Sequence, residues 1–359
     1  MNMLQGIRVL ELADGLVDFG GRMLAELGAD VVSVADAAPR SHARTLAWHH
    51  GKTRLELDDP QAIARLAAMA DIILDGRREG DRLTSAEIPE SCIHICVQAF
   101  PHAPDRRVTD LTLMAMSGLM AITGDPDHPP LRFPGEQAYA LTGIQAATAA
   151  LLALHARRRD GKGQRAVVSA LQSATLANYR EAVMYEWTGR IGRRTGNMLV
   201  RGASGVRQIW PCRDGHVTWS MIDNPGMMRA LVRVMDDAGE AGELATVNWD
   251  ATLVADTPQE VIDRWQRIVA DFFAVRGKSE LEDLSLRLGW GLSPISDPQE
   301  VRESLHLQAR GLFVQVMDEV TGQEAALPGP LFRAQAEGAP PRRLARPVPA
   351  SAFTGWDGA

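Results

Sequence analysis

The sequence predicts an α/β protein, because short apolar runs alternate with helical patterns through its first hundred residues. Ile7 to Leu12 and Val31 to Val34 are predicted strands, and Gly20 to Leu27 is a predicted helix between them. Apolar strands separated by helices are typical of a parallel sheet that is covered on both faces. We therefore predict such a sheet in the N-terminal part of the chain.

The next elements continue this alternation. Asp59 and Pro60 predict a helix start, with aspartate as the N-cap and proline at the first helical position, ahead of the run AIARLAAMA. Ile72 to Leu74 and Ile93 to Val97 are further predicted strands. From about residue 111 the pattern becomes helical.

Two long helices are predicted in the middle of the chain. One is alanine-rich, runs from Gln137 to Arg158 and stops at the Asp160-Gly161 turn, and the other runs from Gln172 to Trp187. After Gly196 the pattern changes to mixed helices and strands.

The C-terminal half is predicted to begin with a hairpin, IWPCRDGHVTWSM, whose turn lies at Asp214-Gly215. Mixed helices follow, and GLFVQVMDEVTGQEAALPG belongs to a last αβ segment. The tail from Ala336 to Ala359 is rich in Pro, Arg and Gly, and we predict that it wraps over the surface.

Composition restricts the class of protein. The chain has 359 residues and a formal net charge of -7, without the basic excess of a nucleic-acid binder. Its three cysteines cannot form a disulfide framework in a chain of this length, so a reducing compartment is expected. The N-terminus lacks a signal-peptide pattern, and no apolar run approaches the length of a membrane span. These features predict a cytoplasmic protein.

Several common motifs are missing from the sequence. Gly15, Gly20 and Gly21 follow the first strand but do not form G-x-G-x-x-G, so a nicotinamide cofactor is unsupported. There is no Walker A sequence and no nucleophile elbow.

Two histidine-containing patterns have a structural and a functional interpretation. Cys92, His94 and Cys96 alternate, so they share one face of a strand and could ligate a metal. A fourth ligand of compatible spacing is missing, and buried strand cysteines are common, so no metal is predicted. His49-His50 could be catalytic, but nothing nearby orients either ring, and we interpret the pair as part of a solvated loop or a phosphate contact.

Local similarities to one family extend over most of the chain. GIRVLEL and MLAELGADVVSV resemble its opening strand, helix and second strand, and HHGKTRLELDDP and ADIILDGRREG resemble its next two segments. TDLTLMAMSGLMAITGDPDHPP is the most specific match, and ALLALHARRRDGKGQRAVVSALQSA is nearly as good. TGRIGRRTGN, PCRDGHV and LQARGLFVQV continue the match to about residue 318. On these segments the chain resembles the class III CoA-transferases, which include formyl-CoA transferase, L-carnitine CoA-transferase and the 2-methylacyl-CoA racemases.

The resemblance implies a fold and an assembly. It implies a Rossmann-like large domain with a parallel sheet, formed by residues 1-195 with 320-359, and a smaller α+β domain, residues 196-319. It also implies that two protomers thread through each other as an interlocked dimer. The family moves CoA from an acyl-CoA donor to a carboxylic acid, so CoA or acyl-CoA is expected as substrate or ligand, with no tightly bound cofactor.

The resemblance also implies a nucleophile that this sequence lacks. In the transferases an aspartate carboxylate, just ahead of or at the start of the alanine-rich helix, attacks the thioester and carries the acyl group. One spacing back from Gly143 leads to Phe133 and a shorter one to Tyr139, and neither is a carboxylate. Glu136, between them, is the one acid from residue 131 to residue 159, and so is the candidate replacement.

Other positions depart from the family pattern. Where the racemases have a histidine, this sequence has Thr109. The loop after the first strand, with Asp14, Leu16 and Val17, stands where the family contacts the CoA nucleotide but differs in sequence. Arg78 and Gly80 keep their places in the third-strand loop. The resemblance therefore assigns these five loop residues to CoA binding, with weakened affinity.

Three functions remain open at this point. The chain could be a non-catalytic subunit that pairs with an aspartate-bearing paralogue. The expected dimer is either a homodimer or a heterodimer with such a paralogue. It could be an active transferase that uses Glu136. It could also be an acyl-CoA-binding or scaffold protein, or an isomerase with altered chemistry.

Overall fold

The structure is a computed structural model that describes residues 3–12, 15–34, 41–100, 102–103, 106, 108–202, 204–329, 342–353 and 356. The chain divides into two compact units. Unit 1 comprises Met1–Met120, Arg132–Ile191 and Ser304–Ala359, and unit 2 comprises Ala121–Leu131 and Gly192–Glu303.

The described strands and helices are as follows. The strands are β1 Arg8–Leu12, β2 Asp30–Val34, β3 Thr53–Glu56, β4 Ile72–Asp75, β5 Ile93–Gln98, β6 Arg165–Ser169, β7 Met198–Arg201, β8 Ser204–Arg207, β9 Ile209–Cys212, β10 Gly215–Thr218, β11 Ser293–Pro294, β12 Phe313–Asp318, β13 Gln323–Pro328, β14 Arg342–Leu344 and β15 Val348–Pro349. The α-helices are α1 Asp18–Glu26, α2 His42–His49, α3 Pro60–Met69, α4 Asp110–Met116, α5 Gln137–Asp160, α6 Ala170–Leu176, α7 Tyr179–Thr188, α8 Pro225–Asp237, α9 Gln259–Ala274, α10 Lys278–Leu288, α11 Pro298–Glu303 and α12 Leu305–Ala309. Short 3₁₀ turns lie at Glu79–Asp81, Met120–Ile122, Gly242–Thr246, Val254–Asp256 and Ala350–Ala352.

Unit 1 is built on a seven-stranded sheet in the order β15-β3-β2-β1-β4-β5-β6. Every neighbouring pair in it is parallel. The strand order runs one way from β1 through β2 to β3 and the other way from β4 to β6, so the sheet changes direction between β1 and β4. The predicted α/β class with a parallel sheet is confirmed. Open sheets of this kind bind ligands beyond the carboxyl ends of their strands at such a switch point.

Helices cover both faces of this sheet. One face, which includes Val9, Ile72 and Ile95, packs in a single core with buried residues of α1, α5 and α6. The opposite face, which includes Leu10 and Ile73, packs with α3. The predicted helix start of α3 is confirmed, since the Asp59 side chain accepts a hydrogen bond from the backbone N–H of Gln61 at 3.0 Å.

The prediction of a solvated loop at His49-His50 is wrong. His49 is the last residue of α2, and His50 is 1% exposed, with its Nδ1 2.9 Å from the carbonyl oxygen of Leu46. Helix α2 has only eight residues, half of them polar, and β3 has polar residues at three of its four positions, so neither element gives a strong periodic signal in the sequence.

Helices α1 and α5 approach each other closely. A Cβ atom on Gly143 of α5 would lie 2.7 Å from the backbone nitrogen of Gly20, so both glycines are required for this contact. Helix α5 is also long and apolar enough to span a membrane by length and composition, contrary to the expectation that no segment approaches this. Five of its eight alanines are buried in the core of unit 1, as in the core helix of a globular protein.

The C-terminal tail is more integrated than predicted. Strands β12, β13 and β14 form a separate sheet, and β15 adds an edge strand beside β3. Leu344 is fully buried, and Trp356 packs into the core on the α3 face of the main sheet. The prediction of a surface wrap is therefore wrong for these residues, while residues 336–341, 354–355 and 357–359 of the predicted tail lie outside the described part of the chain.

Unit 2 has its own aromatic core. The predicted hairpin is confirmed as β9 and β10, with Cys212 paired to Gly215, so its two-residue turn is one position earlier than predicted. Strand β11 pairs with β10, and β7 and β8 form a second antiparallel pair. Buried rings fill the space between the strands and helices α8 to α10, among them Trp210, Trp219, Phe272, Phe273 and Trp290.

Candidate functional site

The loop after β4 lies at the switch point of the unit 1 sheet. Arg77 binds both oxygens of Asp75, at 3.0 and 2.9 Å, and Arg82 donates to the carbonyl oxygens of Arg77 and Val97. These contacts hold the backbone of the loop. The Arg78 side chain is instead 54% exposed, and its Nε forms an ion pair at 3.6 Å with Asp81, whose side chain is 62% exposed.

The other residues assigned to CoA binding are placed as follows. Gly80 lies in the 3₁₀ turn after Arg78, with open space where a Cβ would be. Leu16 and Val17 are buried in the core just before α1, so only their backbone could face a ligand at this edge. Asp14 lies outside the described residues. The structure thus places Leu16 and Val17 after β1 and Arg78 and Gly80 after β4, two strands that are neighbours in the sheet.

The N-terminus of α5 is capped by a residue distant in sequence. Glu136 occupies the N-cap position but makes no side-chain cap. The carboxylate of Asp110, the first residue of α4, accepts a hydrogen bond from the backbone N–H of Tyr139 at 3.0 Å. Burial raises the pKa of Asp110, and the N–H groups of Tyr139 and Ala138 partly offset this. Sequence reasoning missed Asp110, because it lies within a family-like segment and has no local signal of its contact with α5.

The two positions considered for the family aspartate both hold packed aromatic rings. Phe133 packs against the core of unit 1. Tyr139 is 7% exposed, and its hydroxyl donates a hydrogen bond to the carbonyl oxygen of Val108 at 3.1 Å. Thr109, which stands where the racemases have histidine, caps α4 by accepting from the N–H of Thr112. None of these side chains offers a carboxylate or an imidazole.

Glu136 is held in an ion-pair network. Its carboxylate accepts a hydrogen bond from Nε of Arg44, whose Nη1 donates to Asp18 Oδ2 at 2.9 Å. The Arg44 guanidinium also stacks 4.3 Å from the ring centre of Trp48. Among the described residues, Arg44 Nη2 and Asp18 Oδ1 are buried without a hydrogen-bond partner. Glu136 is the most accessible member, with a side chain 27% exposed.

A second buried ion pair lies beside this network. Lys52 Nζ contacts both oxygens of Glu11, at 2.9 and 2.7 Å, and donates to the Asp18 carbonyl oxygen at 2.7 Å. Ser33 donates to Glu11 Oε1 at 2.7 Å. A Cβ on Gly21 would lie 1.6 Å from Glu11 Oε2, so glycine at this position makes room for the pair.

The electrostatics of this region follow from its burial. Burial raises the pKa of Glu11 to about 7 against the opposing charge of Lys52, and it lowers the pKa of Lys52. Burial and the nearby Lys52 charge lower the pKa of His49 to about 4, so the imidazole is neutral at neutral pH. Burial would raise the pKa of Asp18, but the hydrogen bond from His49 and the charges around it hold that pKa below its usual range.

The geometry limits the chemistry that this region can perform. The carboxylates of Glu11, Asp18 and Glu136 each face a cation, which stabilises their charge and reduces their nucleophilicity. The sequence placed Lys52 in a family-like segment, but it gave no signal that residues 11, 18, 44 and 136 meet, since they are widely separated along the chain. The site is therefore a pre-formed cluster of charged side chains beside the N-terminus of α5. This cluster, called the charged wall below, comprises Glu11, Asp18, Arg44, Lys52 and Glu136.

Comparison with known proteins agrees with this fold. The model of CoA-transferase family III matches residues 4–352. The chain is 29% identical to succinate–glutarate CoA-transferase of Agrobacterium fabrum, over 96% of this chain and 92% of that protein. It is 23% identical to the BbsE subunit of succinyl-CoA:(R)-benzylsuccinate CoA-transferase of Thauera aromatica, over 90% of this chain and 86% of that protein.

A solved structure has the same fold. A CAIB/BAIF family protein from Brucella suis superposes with a TM-score of 0.78 at 24% identity, over 93% of each chain. At that identity the likeness shows the fold, whereas the family match rests on nearly the whole sequence. The chain therefore belongs to CoA-transferase family III.

Proposed function

We propose that this chain is a supporting subunit of a CoA-transferase that acts on an acyl-CoA thioester and a carboxylic acid. In this proposal a paralogue that carries the catalytic aspartate pairs with it. One relative, BbsE, is named as a subunit of its CoA-transferase, which supports a heteromeric enzyme. Both named relatives use CoA esters of dicarboxylic acids, so succinyl-CoA is the first donor to test.

The main support for this proposal is that aromatic side chains occupy the positions at the start of α5 where the family aspartate is expected. Acyl transfer through the enzyme needs a nucleophile that can attack a thioester and later release the acyl group. Tyr139 donates its hydroxyl hydrogen to a backbone carbonyl, and a phenol with a pKa near 10 is mostly un-ionised at neutral pH. Phe133 has no nucleophilic atom. The chain thus provides the fold and the charged wall without the reacting carboxylate.

CoA binding is the second part of the proposal. The pantetheine and nucleotide would lie over the carboxyl ends of β1 and β4, where the segment with Asp14, Leu16 and Val17 meets the loop with Arg78 and Gly80. The exposed guanidinium of Arg78 is suited to a phosphate, and Gly80 leaves space for a close approach. CoA is a substrate or ligand in this proposal, and no tightly bound cofactor is invoked.

Pairing with a second protomer is supported by α7. None of its residues is buried, and Tyr179, Val183 and Trp187 lie four residues apart on one face, exposed by 69, 52 and 85%. An apolar stripe of this size is typical of an interaction surface. We propose that a second family member, in an interlocked dimer, covers it. The expected cytoplasmic location remains part of the proposal, supported by three cysteines that form no disulfide.

A second candidate function is transfer by this chain through Glu136. Its favouring observation is that Glu136 is partly exposed and lies at the start of α5. In that case Arg44 would have to release the carboxylate before it attacked the thioester. The same carboxylate would then carry the acyl group as a glutamyl anhydride and CoA as a glutamyl thioester.

Turnover assays separate these two functions. The purified chain is incubated with succinyl-CoA and a panel of dicarboxylic acids, alone and after co-expression with the aspartate-bearing paralogue. For this chain alone we expect no transfer, because loss of an essential nucleophile costs on the order of 10⁶ in kcat. We also expect hydroxylamine, which converts a protein-bound thioester into a hydroxamate, to leave no hydroxamate on the chain. Activity should appear in the heteromer and disappear when the paralogue's aspartate is replaced by alanine.

The contrary result is equally clear. Robust transfer by the wild-type homo-oligomer, abolished by Glu136→Gln and retained by Glu186→Gln on exposed α7, would overturn the supporting-subunit function. That outcome would make Glu136 the nucleophile. Calorimetry with CoA, which does not depend on turnover, tests CoA binding separately.

A further inference from the structure

Strands β4, β5 and β6 carry a polar cluster that the transferase function does not use. His94 and Cys96 alternate with the core residues Ile93 and Ile95, so they lie on the α3 face of the sheet. Cys96 is in register with Asp75 of β4, and His94 with Arg165 of β6. The parallel register therefore brings four polar side chains together on one face.

Two nitrogen atoms converge on the Cys96 sulfur. His94 Nε2 lies 3.5 Å from Sγ, and Arg165 Nε donates to Sγ at 3.3 Å. His94 Nε2 also lies 3.4 Å from Asp75 Oδ2. Because the thiol and the carboxylate face the same imidazole nitrogen, the three groups cannot relay a proton along the ring as in a hydrolase triad. They can instead hold an imidazolium between a thiolate and a carboxylate.

The two cationic side chains next to the sulfur both favour its thiolate form. Burial would raise the pKa of Cys96, but hydrogen bonds and charge from His94 and Arg165 lower it overall. Burial would lower the pKa of His94, but Asp75 and Cys96 raise it overall. Arg77 forms an ion pair with Asp75. The Cys96 sulfur, and to a lesser extent the negative charges of Glu79 and Asp75, raise the pKa of Arg165.

Cys92 provides an internal contrast. It precedes His94 on the same face, yet it packs among apolar residues, and its sulfur donates to the backbone carbonyl oxygen of Ile93 at 3.8 Å. Burial raises the pKa of Cys92 to about 12. Burial also raises the pKa of Cys212 in unit 2. The charges of Arg157 and Lys278 act on Cys92 and Cys212 in the opposite direction but do not offset burial. Of the three cysteines, Cys96 is therefore the one whose sulfur is contacted directly by cationic nitrogen donors, His94 and Arg165.

The position of Cys96 selects for small reagents. Its side chain is fully buried, one strand in from the edge strand β6. Arg165, which contacts the sulfur, is exposed, and Val167 beside it on the same face is 57% exposed. Because exposed Arg165 contacts the sulfur, it is the side chain that would have to move for a reagent to reach Cys96, and a small uncharged molecule needs the smallest movement.

We propose that Cys96 is an oxidation site for hydrogen peroxide, activated by His94 and Arg165. The thiolate sulfur attacks one peroxide oxygen, so that an S–O bond forms and the O–O bond breaks. The sulfur is oxidised by two electrons to a sulfenic acid, and the peroxide is reduced. The leaving hydroxide takes the proton of the His94 imidazolium and departs as water. Arg165 stabilises the negative charge as it moves from sulfur to the leaving oxygen.

Peptide mass spectrometry of the full-length chain tests this proposal. The protein is treated with hydrogen peroxide for increasing times and quenched in denaturant that contains dimedone, which labels sulfenic acids. We expect Cys96 to be labelled at least tenfold faster than Cys92 and Cys212. A bulky maleimide applied to the native protein should give the opposite order, with Cys212 first, since Cys96 is buried.

Variants then separate activation from mere exposure. Arg165→Gln should ease access to the sulfur yet slow peroxide labelling of Cys96 about tenfold at pH 7, because each unit of thiol pKa changes the thiolate fraction by about tenfold. Its pH–rate profile should shift upward, and Arg165→Lys should recover part of the rate. Arg158→Gln, an exposed arginine at the end of α5, is the matched control and should leave the rate unchanged.

Two outcomes would overturn the proposal. One is equal peroxide labelling of all three cysteines, or labelling led by Cys212, which would show that exposure decides reactivity. The other is an unchanged or faster Cys96 rate in Arg165→Gln, which would show that Arg165 only shields the sulfur. Neither outcome depends on CoA binding or transferase activity.

Discussion

At the scale of single residues, the buried Glu11–Lys52 pair has an energetic consequence that can be predicted from its burial. Both side chains are completely buried, so their charges have lost the solvation that water would provide. Their mutual attraction, the Ser33 hydroxyl and the Asp18 carbonyl compensate for that loss. A pair of this kind adds little net stability as a unit, but breaking it leaves one charge uncompensated.

Lys52→Met tests this asymmetry. We expect the substitution to lower the free energy of unfolding by about 3–5 kcal/mol, because Glu11 would remain buried without its counter-charge. The double variant Glu11→Gln/Lys52→Met should recover most of the loss, since glutamine still accepts from Ser33. Urea unfolding at pH 7.5 measures both, with Lys162→Met, on an exposed pair, as a control that changes nothing measurable. A Lys52→Met variant as stable as wild type would contradict the compensation argument.

Arg78 is the residue on which the proposed CoA site is most directly tested. Arg77 and Arg82 hold the loop, so their loss would disturb its shape, whereas the Arg78 side chain extends into solvent. Arg78→Ala should raise the Kd for CoA about tenfold, the effect of removing one charge-assisted phosphate contact worth about 1.5 kcal/mol. Calorimetry measures this, and Arg65→Ala, an exposed arginine on α3, should bind as wild type does. Equal weakening in both variants would indicate a general charge effect.

At the scale of elements, the contact between α1 and α5 fixes the N-terminus of α5 against the charged wall. Gly20 and Gly143 allow backbone to meet backbone there. In an isolated helix, Gly143→Ala would gain about 1 kcal/mol from helix propensity. Here the new Cβ would lie 2.7 Å from Gly20 N and 2.9 Å from Phe19 Cβ, and neither neighbour is a flexible chain end.

We therefore expect Gly143→Ala to destabilise the protein, despite its favourable propensity. Overpacking of this kind costs about 1–3 kcal/mol, which exceeds the propensity gain at all but its lower limit. Thermal unfolding should show a lower Tm for Gly143→Ala and an unchanged Tm for Gly80→Ala, where the added Cβ meets open space. A raised Tm for Gly143→Ala would mean that the two helices can separate at little cost.

The elements that the sequence predicted are those with strong local signals. The apolar runs of β1, β2, β4 and β5 and the Asp59-Pro60 helix start needed no long-range information. Helix α2 and strand β3 lack such local signals. Contacts with residues elsewhere in unit 1 stabilise them instead, and such contacts cannot be seen in the local sequence. Arg44 of α2, for instance, pairs with Asp18 and Glu136 from two other helices or their caps. The charged wall could not be predicted from the sequence for the same reason, since its residues are widely separated along the chain.

At the scale of the whole molecule, the resemblance to the family predicted more of the structure and function than the local sequence pattern did. It implied the family and the parallel sheet, which are confirmed, and the interlocked dimer, which stays a prediction. The physical support for the dimer is the α7 stripe, because apolar side chains as exposed as Trp187 are unfavourable in water unless a partner covers them. Whether the two subunits can separate without unfolding therefore decides whether the dimer is interlocked.

Interlocked protomers should not exchange. Two chains that thread through each other cannot part without unfolding, whereas protomers that meet only through a surface patch dissociate and recombine. We expect native mass spectrometry to give a species of about twice the 39.1 kDa chain mass. Tagged and untagged dimers mixed in native buffer should form no hybrid over days, and hybrids should appear after joint unfolding in urea and refolding. Val183→Glu/Trp187→Glu should prevent assembly, while Glu186→Lys on the same helix should not. Rapid native exchange, or a stable wild-type monomer at micromolar concentration, would contradict interlocking and would mean that a partner subunit can be added after folding rather than only during it.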